Sequence, residues 1–269
     1  MTLSERLRAL YPEASGRSLK QWLERGRVEV NGRVVRDGAL ALHPSDRVAL
    51  GRRGGAAFPN LLGLVHEDAD LIVIDKPPGL LTIATERERE RTAYRLLWNY
   101  LETGRPPRRP FIVHRLDRET SGLLVVAKSV RAKRELQAQF EARDVERVYV
   151  ALVEGRVASD QGVLESRLTQ DRALRVRATP EGRQAITHYR VRERRRDTTL
   201  VELRLGTGRR HQIRVQLADL GHPVLGDTGH GSHRDPFGRV CLHATRLGFI
   251  HPSTRAPARF ESAPPPGWV

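Results

Sequence analysis

Short apolar runs of strand length recur from about residue 60 onward, and this pattern limits the possible folds more than any other feature. Strand-like segments cover residues 62–66, 71–75, 122–127, 147–153, 163–168, 185–192 and 199–205, and amphipathic helices are predicted over 130–143 and 209–220. Because strands outnumber helices and several follow one another directly, the pattern predicts an α+β fold with a mostly antiparallel, mixed sheet. It argues against a doubly wound parallel sheet.

The first 50 residues show a different pattern, which predicts a small α+β domain. Thr2 and Glu5 have the spacing of a capping box at the start of a helix. A second short helix is predicted to end at Gly26. The pair Asn31-Gly32 then predicts a hairpin turn between short antiparallel strands.

These patterns divide the chain into four segments. A Gly-Arg-rich stretch follows the first domain and has the composition of a linker, and a proline-rich stretch near residue 265 predicts a frayed end. The predicted segments are a small domain over 1–50, a linker over 51–60, a large domain over 61–260 and a frayed tail over 261–269.

The charge of the chain predicts an anionic partner. There are 47 Lys and Arg against 32 Asp and Glu, a formal net charge of +15, which favours nucleic acid, a membrane surface or an acidic protein as partner. No run approaches 18 apolar residues, so no transmembrane helix is predicted, and the charged N-terminal residues are unlike a signal peptide. A single cysteine permits no intrachain disulfide. These observations predict a cytoplasmic protein, which we expect to be a monomer.

Residues 111–129 contain the most informative motif, a polar loop between two apolar strands. Asp117 lies between Arg115 and Arg118 in this loop, with His114 close by. Neighbouring cations favour the ionised carboxylate, and such a carboxylate can attack carbon or stabilise an oxocarbenium-like centre. The alternative is a structural Asp-Arg turn.

A second basic motif occupies residues 206–231. A Gly-Thr-Gly turn is predicted to open a helix with Arg209, Arg210 and His211 in its first turn, where an anion would offset the cost of cations at the helix N-terminus. Arg214 lies at the border of the apolar face and is predicted to point into a cleft. The alternative is a helix whose arginines extend to solvent.

The sequence predicts neither a metal nor a cofactor. The segment 66–68, His-Glu-Asp, invites a metal hypothesis, but no histidine spacing in the chain matches a metal-ligand motif. No glycine-rich nucleotide-binding loop is present either.

Four ordered motifs over about residues 60–260 resemble the RluA family of RNA pseudouridine synthases. They are Asp70 to Gly79 with its Lys-Pro-x-Gly turn, His114 to Leu123, Arg147 to Ala151 and Thr207 to Asp227. Residues 1–50 resemble the S-four type of RNA-binding domain. Two positions depart from the usual family pattern: His230 stands where a Tyr is frequent, and Gln216 where a His is frequent. We expect these departures to affect the choice of substrate.

The resemblance implies a function and a set of site residues. The family converts uridine in RNA to pseudouridine without a cofactor, and the implied substrate is ribosomal RNA, with transfer RNA as an alternative. Asp117 is then the nucleophile, Arg214 pairs with it and keeps it ionised, and Tyr149 packs against the base and serves proton transfer at C5. Arg115 fills the gap left by the flipped base. The implied RNA contacts are His114, Arg209, Arg27 and Lys20.

Two other functions remain open from the sequence. One is an RNA-binding or ribosome assembly factor that keeps the fold without the activity. The other is a hydrolase of the glycosidic bond that releases free uracil.

Overall fold

The chain folds into two compact units in the computed structural model, which describes residues 1–24, 26–50, 57–104, 106–171 and 175–268. The first unit comprises Met1–Ala56 with Thr103–Pro107, and the second comprises Ala57–Glu102 with Arg108–Val269. Within the predicted linker, residues 51–56 lie outside the described residues. No helix in the described part of the chain is long and apolar enough to cross a membrane.

The first unit has the predicted arrangement of two helices and a small sheet. The capping box is present, with the amide of Glu5 donating to Thr2 and the Glu5 carboxylate accepting from the amide of Thr2. Asn31 and Gly32 both have positive φ, as the hairpin turn requires. The elements are α1 Leu3–Leu10, α2 Gly16–Glu24, β1 Val28–Val30, β2 Arg33–Val34 and β3 Val48–Leu50, with antiparallel strand order β2-β1-β3.

The second unit is built on one large sheet, whose mostly antiparallel character confirms the predicted fold class. Its strands are β4 Gly63–Glu67, β5 Leu71–Lys76, β6 Phe111–Ile112, β7 Ser121–Ala127, β8 Glu146–Glu154, β9 Gln161–Gln170, β10 Val176–Ala178, β11 Arg183–Arg194, β12 Thr198–Leu205, β13 Leu242–Ile250 and β14 Pro257–Glu261. Their order is β10-β9-β11-β12-β8-β13-β7-β5-β4, with β14 paired to β13 and β6 to β7. Within the described ranges, only β7 and β13 run parallel.

Helices cover both faces of the central strands, which explains why the apolar runs are continuous. Side chains of β5 and β7 alternate between two cores: Leu71 and Leu123 face the core that contains α4, whereas Ile72 and Leu124 face the core that contains α3. A strand that is buried on both faces needs apolar residues at every position. The helices of this unit are α3 Ala93–Glu102, α4 Val130–Ala142 and α5 Gln212–Asp219, with a short 3-10 helix at Thr228–His230.

Helix α5 begins three residues later than predicted. His211 precedes it in the left-handed conformation, with φ +52°. The Gln212 side chain closes the preceding loop, because its Oε1 accepts from the Thr207 hydroxyl (2.7 Å) and from the amide of Arg209 (3.0 Å). Arg209, Arg210 and His211 therefore lie in this loop and not in the first helical turn.

The predicted frayed tail is wrong, because the C-terminal segment packs against the large unit. Glu261 belongs to β14, and Trp268 is completely buried. Arg239 lies over the Trp268 ring at 4.9 Å, and Arg195 donates to the Trp268 carbonyl at 2.9 Å. One large aromatic ring buries enough apolar surface to hold the proline-rich segment in place.

Candidate active site

The loop that carries Asp117 connects β6 to β7 and is tied down by the segment that follows β5. The Thr82 hydroxyl donates to the Leu116 carbonyl (2.7 Å) and accepts from the Leu116 amide (3.2 Å). The amide of Gly79 donates to the Arg118 carbonyl at 2.8 Å. The residues on both sides of Asp117 are therefore fixed.

Lys76 supports the same loop from beneath. Its ammonium group is fully buried and donates to the carbonyls of Pro77 (2.9 Å), Leu80 (2.8 Å) and Arg118 (3.2 Å). Burial lowers the pKa of Lys76 to about 7, although the charges of Asp117 and Glu119 oppose this shift. The lysine of the Lys-Pro-x-Gly turn therefore positions the loop in addition to ending the strand.

Gly122 allows the loop to pass close to β13. Its φ is +108°, and a Cβ atom there would lie 2.3 Å from the carbonyl oxygen of Ala244. The parallel pairing of β7 with β13 begins at this point, with Ser121 opposite His243. Only glycine permits this close approach.

The three residues predicted to be catalytic line one cleft of about 570 Å³. Asp117 comes from the β6–β7 loop, Tyr149 from β8 and Arg214 from α5. The negative charge of Asp117 acts on both partners, since it helps to raise the pKa of Tyr149 and of Arg214. The predicted constellation is therefore assembled in one place.

Arg214 does not form the predicted pair with Asp117. Its Nε and Nη2 atoms bind the two carboxylate oxygens of Asp227 at 2.6 and 2.7 Å, and its Nη1 lies 3.1 Å from the Glu119 carboxylate. Burial opposes the charge on Arg214, but the hydrogen bonds and charge of Asp227 outweigh it and raise the pKa of the guanidinium. From a longer distance, the negative charge of Asp117 also helps to raise the pKa of Arg214.

Tyr149 supplies a neutral aromatic surface to the cleft. The side chain is 8% exposed. Burial raises the pKa of Tyr149 to about 12, and Asp117 adds to the shift while Arg147 opposes it. The phenol is therefore protonated at physiological pH.

Arginines surround the mouth of the cleft. Arg115 is exposed and has no hydrogen-bond or ion-pair partner among the residues that the structure describes. Arg209 is exposed and donates to the Gln184 carbonyl (3.1 Å). Arg147 lies over the Phe140 ring at 5.6 Å, with its Nε buried and unpartnered. This rim can attract a polyanion.

His114 lines the cleft but has a packing role. Its Nε2 accepts from the amide of Val125 (3.2 Å), and its ring stacks on Phe140 at 4.6 Å. Burial, aided by the charge of Arg147, lowers the pKa of His114 to about 3. The side chain is therefore neutral and holds the loop against β7, and its predicted contact with RNA stays a prediction.

The remaining predicted RNA contacts lie in the first unit. Lys20 is exposed on α2 with its ammonium 3.9 Å from Glu24, and the Arg27 guanidinium lies over the Trp22 ring at 5.4 Å. Both belong to the same small unit, and their role in RNA binding stays a prediction.

Gln216 is a structural residue and not a substrate contact. Its Oε1 accepts from the Thr187 hydroxyl (2.6 Å), and its Nε2 donates to Leu164, Ser166 and Ala185, each at 3.0 Å. It therefore fixes α5 to β9 and β11. The other departure, His230, contacts Asp227 and His211 beside the cleft.

Away from the cleft, a cluster of two aspartates and one histidine includes Asp68 of the segment 66–68. Ligand atoms of Asp68, Asp70 and His251 lie within 4.8 Å of one another. The Asp68 carboxylate, however, is already bound by His66 and His251, each at 2.9 Å, and by the amides of Asp70 and Leu71. These internal hydrogen bonds give the group a structural explanation.

Four residues of the site were not identified from the sequence. Lys76 and Thr82 hold the Asp117 loop, and Asp227 and Glu119 hold Arg214. Asp227 closes the motif that contains Arg214, so its position at the end of that motif was the available signal. Lys76 and Glu119 also lie within matched motifs, whereas Thr82 forms a contact that residue spacing does not indicate.

Known proteins share this fold and these motifs. A family model described as RNA pseudouridylate synthase matches residues 70–219. The ribosomal large subunit pseudouridine synthase D of Vibrio cholerae is 35% identical, covering 99% of this chain and 89% of that protein. An uncharacterized RNA pseudouridine synthase of Bacillus subtilis is 36% identical over 92% of this chain and 85% of its own length.

Solved structures agree with these matches. Human RNA pseudouridylate synthase domain-containing protein 1 superposes with a TM-score of 0.62 at 25% identity, covering 75% of this chain and 83% of that one. The fold and the cleft thus define an RNA-modifying isomerase. The chain belongs to the RNA pseudouridine synthase family, which confirms the resemblance inferred from its motifs.

Proposed function

We propose that this protein isomerises specific uridines of large-subunit ribosomal RNA to pseudouridine, with Asp117 as the nucleophile. The meeting of Asp117, Tyr149 and Arg214 in one cleft carries this proposal. The name of the Vibrio cholerae relative supports the choice of ribosomal RNA over transfer RNA. We propose further that the protein acts as a monomer in the cytoplasm.

The reaction breaks the N1–C1′ bond, rotates the uracil and joins its C5 to C1′, so it needs neither an oxidant nor a donated group. The Asp117 carboxylate attacks the nucleotide or stabilises the charge that develops at C1′. Arg214 anchors the Asp117 loop through Glu119 and adds a positive charge to the site. The Tyr149 ring forms the wall against which the base lies.

The target uridine leaves its stack to reach the cleft. Arg115 is suited to occupy the vacated position, because its guanidinium is exposed at the rim and can stack on neighbouring bases. Arg209 is suited to hold an adjacent phosphate.

RNA tritiated at C5 of uridine separates the three possible functions. A synthase releases tritium and leaves the mass of the RNA chain unchanged, whereas a hydrolase releases uracil and lowers that mass. A catalytically silent binder or assembly factor does neither. Absence of tritium release from purified large-subunit ribosomal RNA, with release from transfer RNA, would refute the proposed substrate.

We also propose that the first unit is an S-four-like RNA-binding domain that contributes affinity. Residues 1–55 carry 11 Lys and Arg against 6 Asp and Glu. The double variant Lys20→Gln/Arg33→Gln should bind long structured RNA more weakly, with unchanged turnover at saturating RNA. The log–log salt slope should fall by about 0.9 for each phosphate that the variant no longer neutralises.

A matched control removes two exposed arginines from the second unit, with Arg190→Gln/Arg196→Gln. We expect this control to keep the salt slope of the parent. Equal slopes for the two double variants would contradict a binding role for the first unit.

A further inference from the structure

Two histidines connect the buried Asp227 to the cleft. Nδ1 of His230 lies 2.9 Å from Oδ1 of Asp227, and Nε2 of His230 lies 3.3 Å from Nδ1 of His211. The two imidazole rings meet edge to face, with their centroids 5.1 Å apart. His211 lines the cleft beside Asp117, whereas the Asp227 side chain is only 1% exposed.

The ionised Asp227 determines the tautomers of both rings. Burial raises the pKa of Asp227, but hydrogen bonds from Arg214 and His230 outweigh it and lower the pKa to about 2. A carboxylate only accepts hydrogen bonds, so His230 donates to it from Nδ1. With the His230 proton on Nδ1, Nε2 of His230 is the acceptor, and His211 donates to it from Nδ1.

Because Nδ1 of His211 carries the proton, Nε2 of His211 is left as a hydrogen-bond acceptor. Within the residues that the structure describes, that atom has no hydrogen-bond partner. A proton accepted there can be balanced by transfer of the Nδ1 proton of His211 to Nε2 of His230. Asp227 then stabilises the positive charge on His230, and His211 stays neutral throughout.

We infer that His211 and His230 form a proton relay that removes the C5 proton of the target uracil, an inference that rests on the proposed function. After C5 has joined C1′, the C5–H bond breaks and its electron pair restores the C5=C6 double bond. The electron pair of the C6=N1 double bond moves to N1, which takes up a proton from solvent. The C5 proton passes to Nε2 of His211 while the Nδ1 proton passes to His230. The proton held by His230 reaches solvent after the product leaves, and the two histidines then return to their first tautomers.

The surroundings of His211 favour a relay over a simple base. Burial lowers the pKa of His211 to about 4, and the positive charges near the ring add to this shift, whereas Asp117 opposes it. The titratable groups that act on His211 are Asp117, Arg214, Arg210 and His230. A positive charge is therefore costly on His211, whereas the carboxylate of Asp227 contacts His230 directly. Tyr149 is a poor acceptor for the same proton because its phenol is protonated.

The test is single-turnover pseudouridine formation with RNA that carries protium or deuterium at C5 of the target uridine. His211→Asn retains a residue that tolerates positive φ, and His230→Phe retains a ring of similar size. We expect each variant to slow product formation roughly 100-fold or more. We also expect a C5 deuterium effect larger than that of the parent, because loss of the relay makes proton removal limiting.

His188→Asn is the matched control, since this exposed histidine of β11 lies outside the cleft. Its rate and isotope effect should equal those of the parent. The relay is refuted if both relay variants keep the parental rate, or if they slow without an increase in the isotope effect, which would indicate structural support only. A parent enzyme that forms no pseudouridine would refute the proposed function itself.

Discussion

The buried ion pair between Arg214 and Asp227 should contribute much more to stability than an exposed pair of the same length. Asp227→Asn keeps the shape of the side chain but directs an amide group at the guanidinium, leaving the charge of Arg214 without its main partner. The two side chains are 6% and 1% exposed. Breaking such a pair costs about 3–5 kcal/mol in the free energy of unfolding.

Arg194 and Asp160 provide the comparison within the same chain. Their charged atoms lie 2.7 Å apart, close to the 2.6 Å between Arg214 and Asp227, but Asp160 is 85% exposed. Asp160→Asn should therefore cost about 1 kcal/mol or less. Urea unfolding at pH 7, followed by tryptophan fluorescence, measures both variants.

A double-mutant cycle tests the electrostatic origin of the effect. Arg214→Gln combined with Asp227→Asn replaces the ion pair by two neutral groups, so its cost should be at least about 2 kcal/mol below the sum of the single variants. Strictly additive costs, or an Asp227→Asn variant as stable as the parent, would refute this reasoning.

The pH dependence provides an independent measurement on the same carboxylate. The pKa of Asp227 is about 2 in the folded protein against an ordinary 3.8. As the pH falls, Asp227 binds a proton in the unfolded chain before it does so in the folded protein. Asp227 therefore contributes about 2 kcal/mol to the free energy of unfolding above pH 3.8, and this contribution is lost as the pH falls toward 2. This part of the acid destabilisation should be absent in Asp227→Asn.

Three further variants test the site and the tail. Asp117→Asn should bind RNA nearly as well as the parent but form pseudouridine at less than about one per cent of the parental rate, measured by tritium release; faster turnover would contradict its role as nucleophile. Because the pKa of Lys76 is about 7 when folded and ordinarily 10.5, the unfolded chain binds more protons between these values and stability should rise with pH across that window. The stability of Lys76→Met should not show this rise with pH. An identical slope of stability against pH in parent and variant would contradict the lowered pKa of Lys76. Trp268→Ala should lower the free energy of unfolding by roughly 3–5 kcal/mol, whereas a frayed tail would leave it unchanged.

The sequence predicted the fold class from local patterns, and the resemblance of its motifs pointed to Asp117, Tyr149 and Arg214, which the structure brings to one cleft. Apolar runs identify strands, and Asp117 and Arg214 stand in motifs whose residue types indicate chemistry. The supporting contacts depend on the folded chain. Thr82 meets Leu116 across 34 residues, and Lys76 meets the Arg118 carbonyl across 42.

The errors at α5 and at the C-terminal tail have separate physical causes. The start of α5 was misplaced because its N-cap is His211, which is not a usual N-cap residue, and because the Gln212 side chain closes the preceding loop. The tail was predicted to fray from its prolines, but the burial of Trp268 outweighs their effect. In both cases one side chain overrides the local preference.

The distribution of charge in the cleft suits a substrate whose reacting part is neutral. Asp227 and Glu119 offset the charge of Arg214, and of its three acidic neighbours only Asp117 lines the described cleft. We expect the uncharged uracil to enter the cleft and the phosphodiester backbone to stay at its rim, near arginines such as Arg115 and Arg209. It follows that the removal of a rim arginine should change affinity and its salt dependence, whereas a change at Asp117 should change turnover.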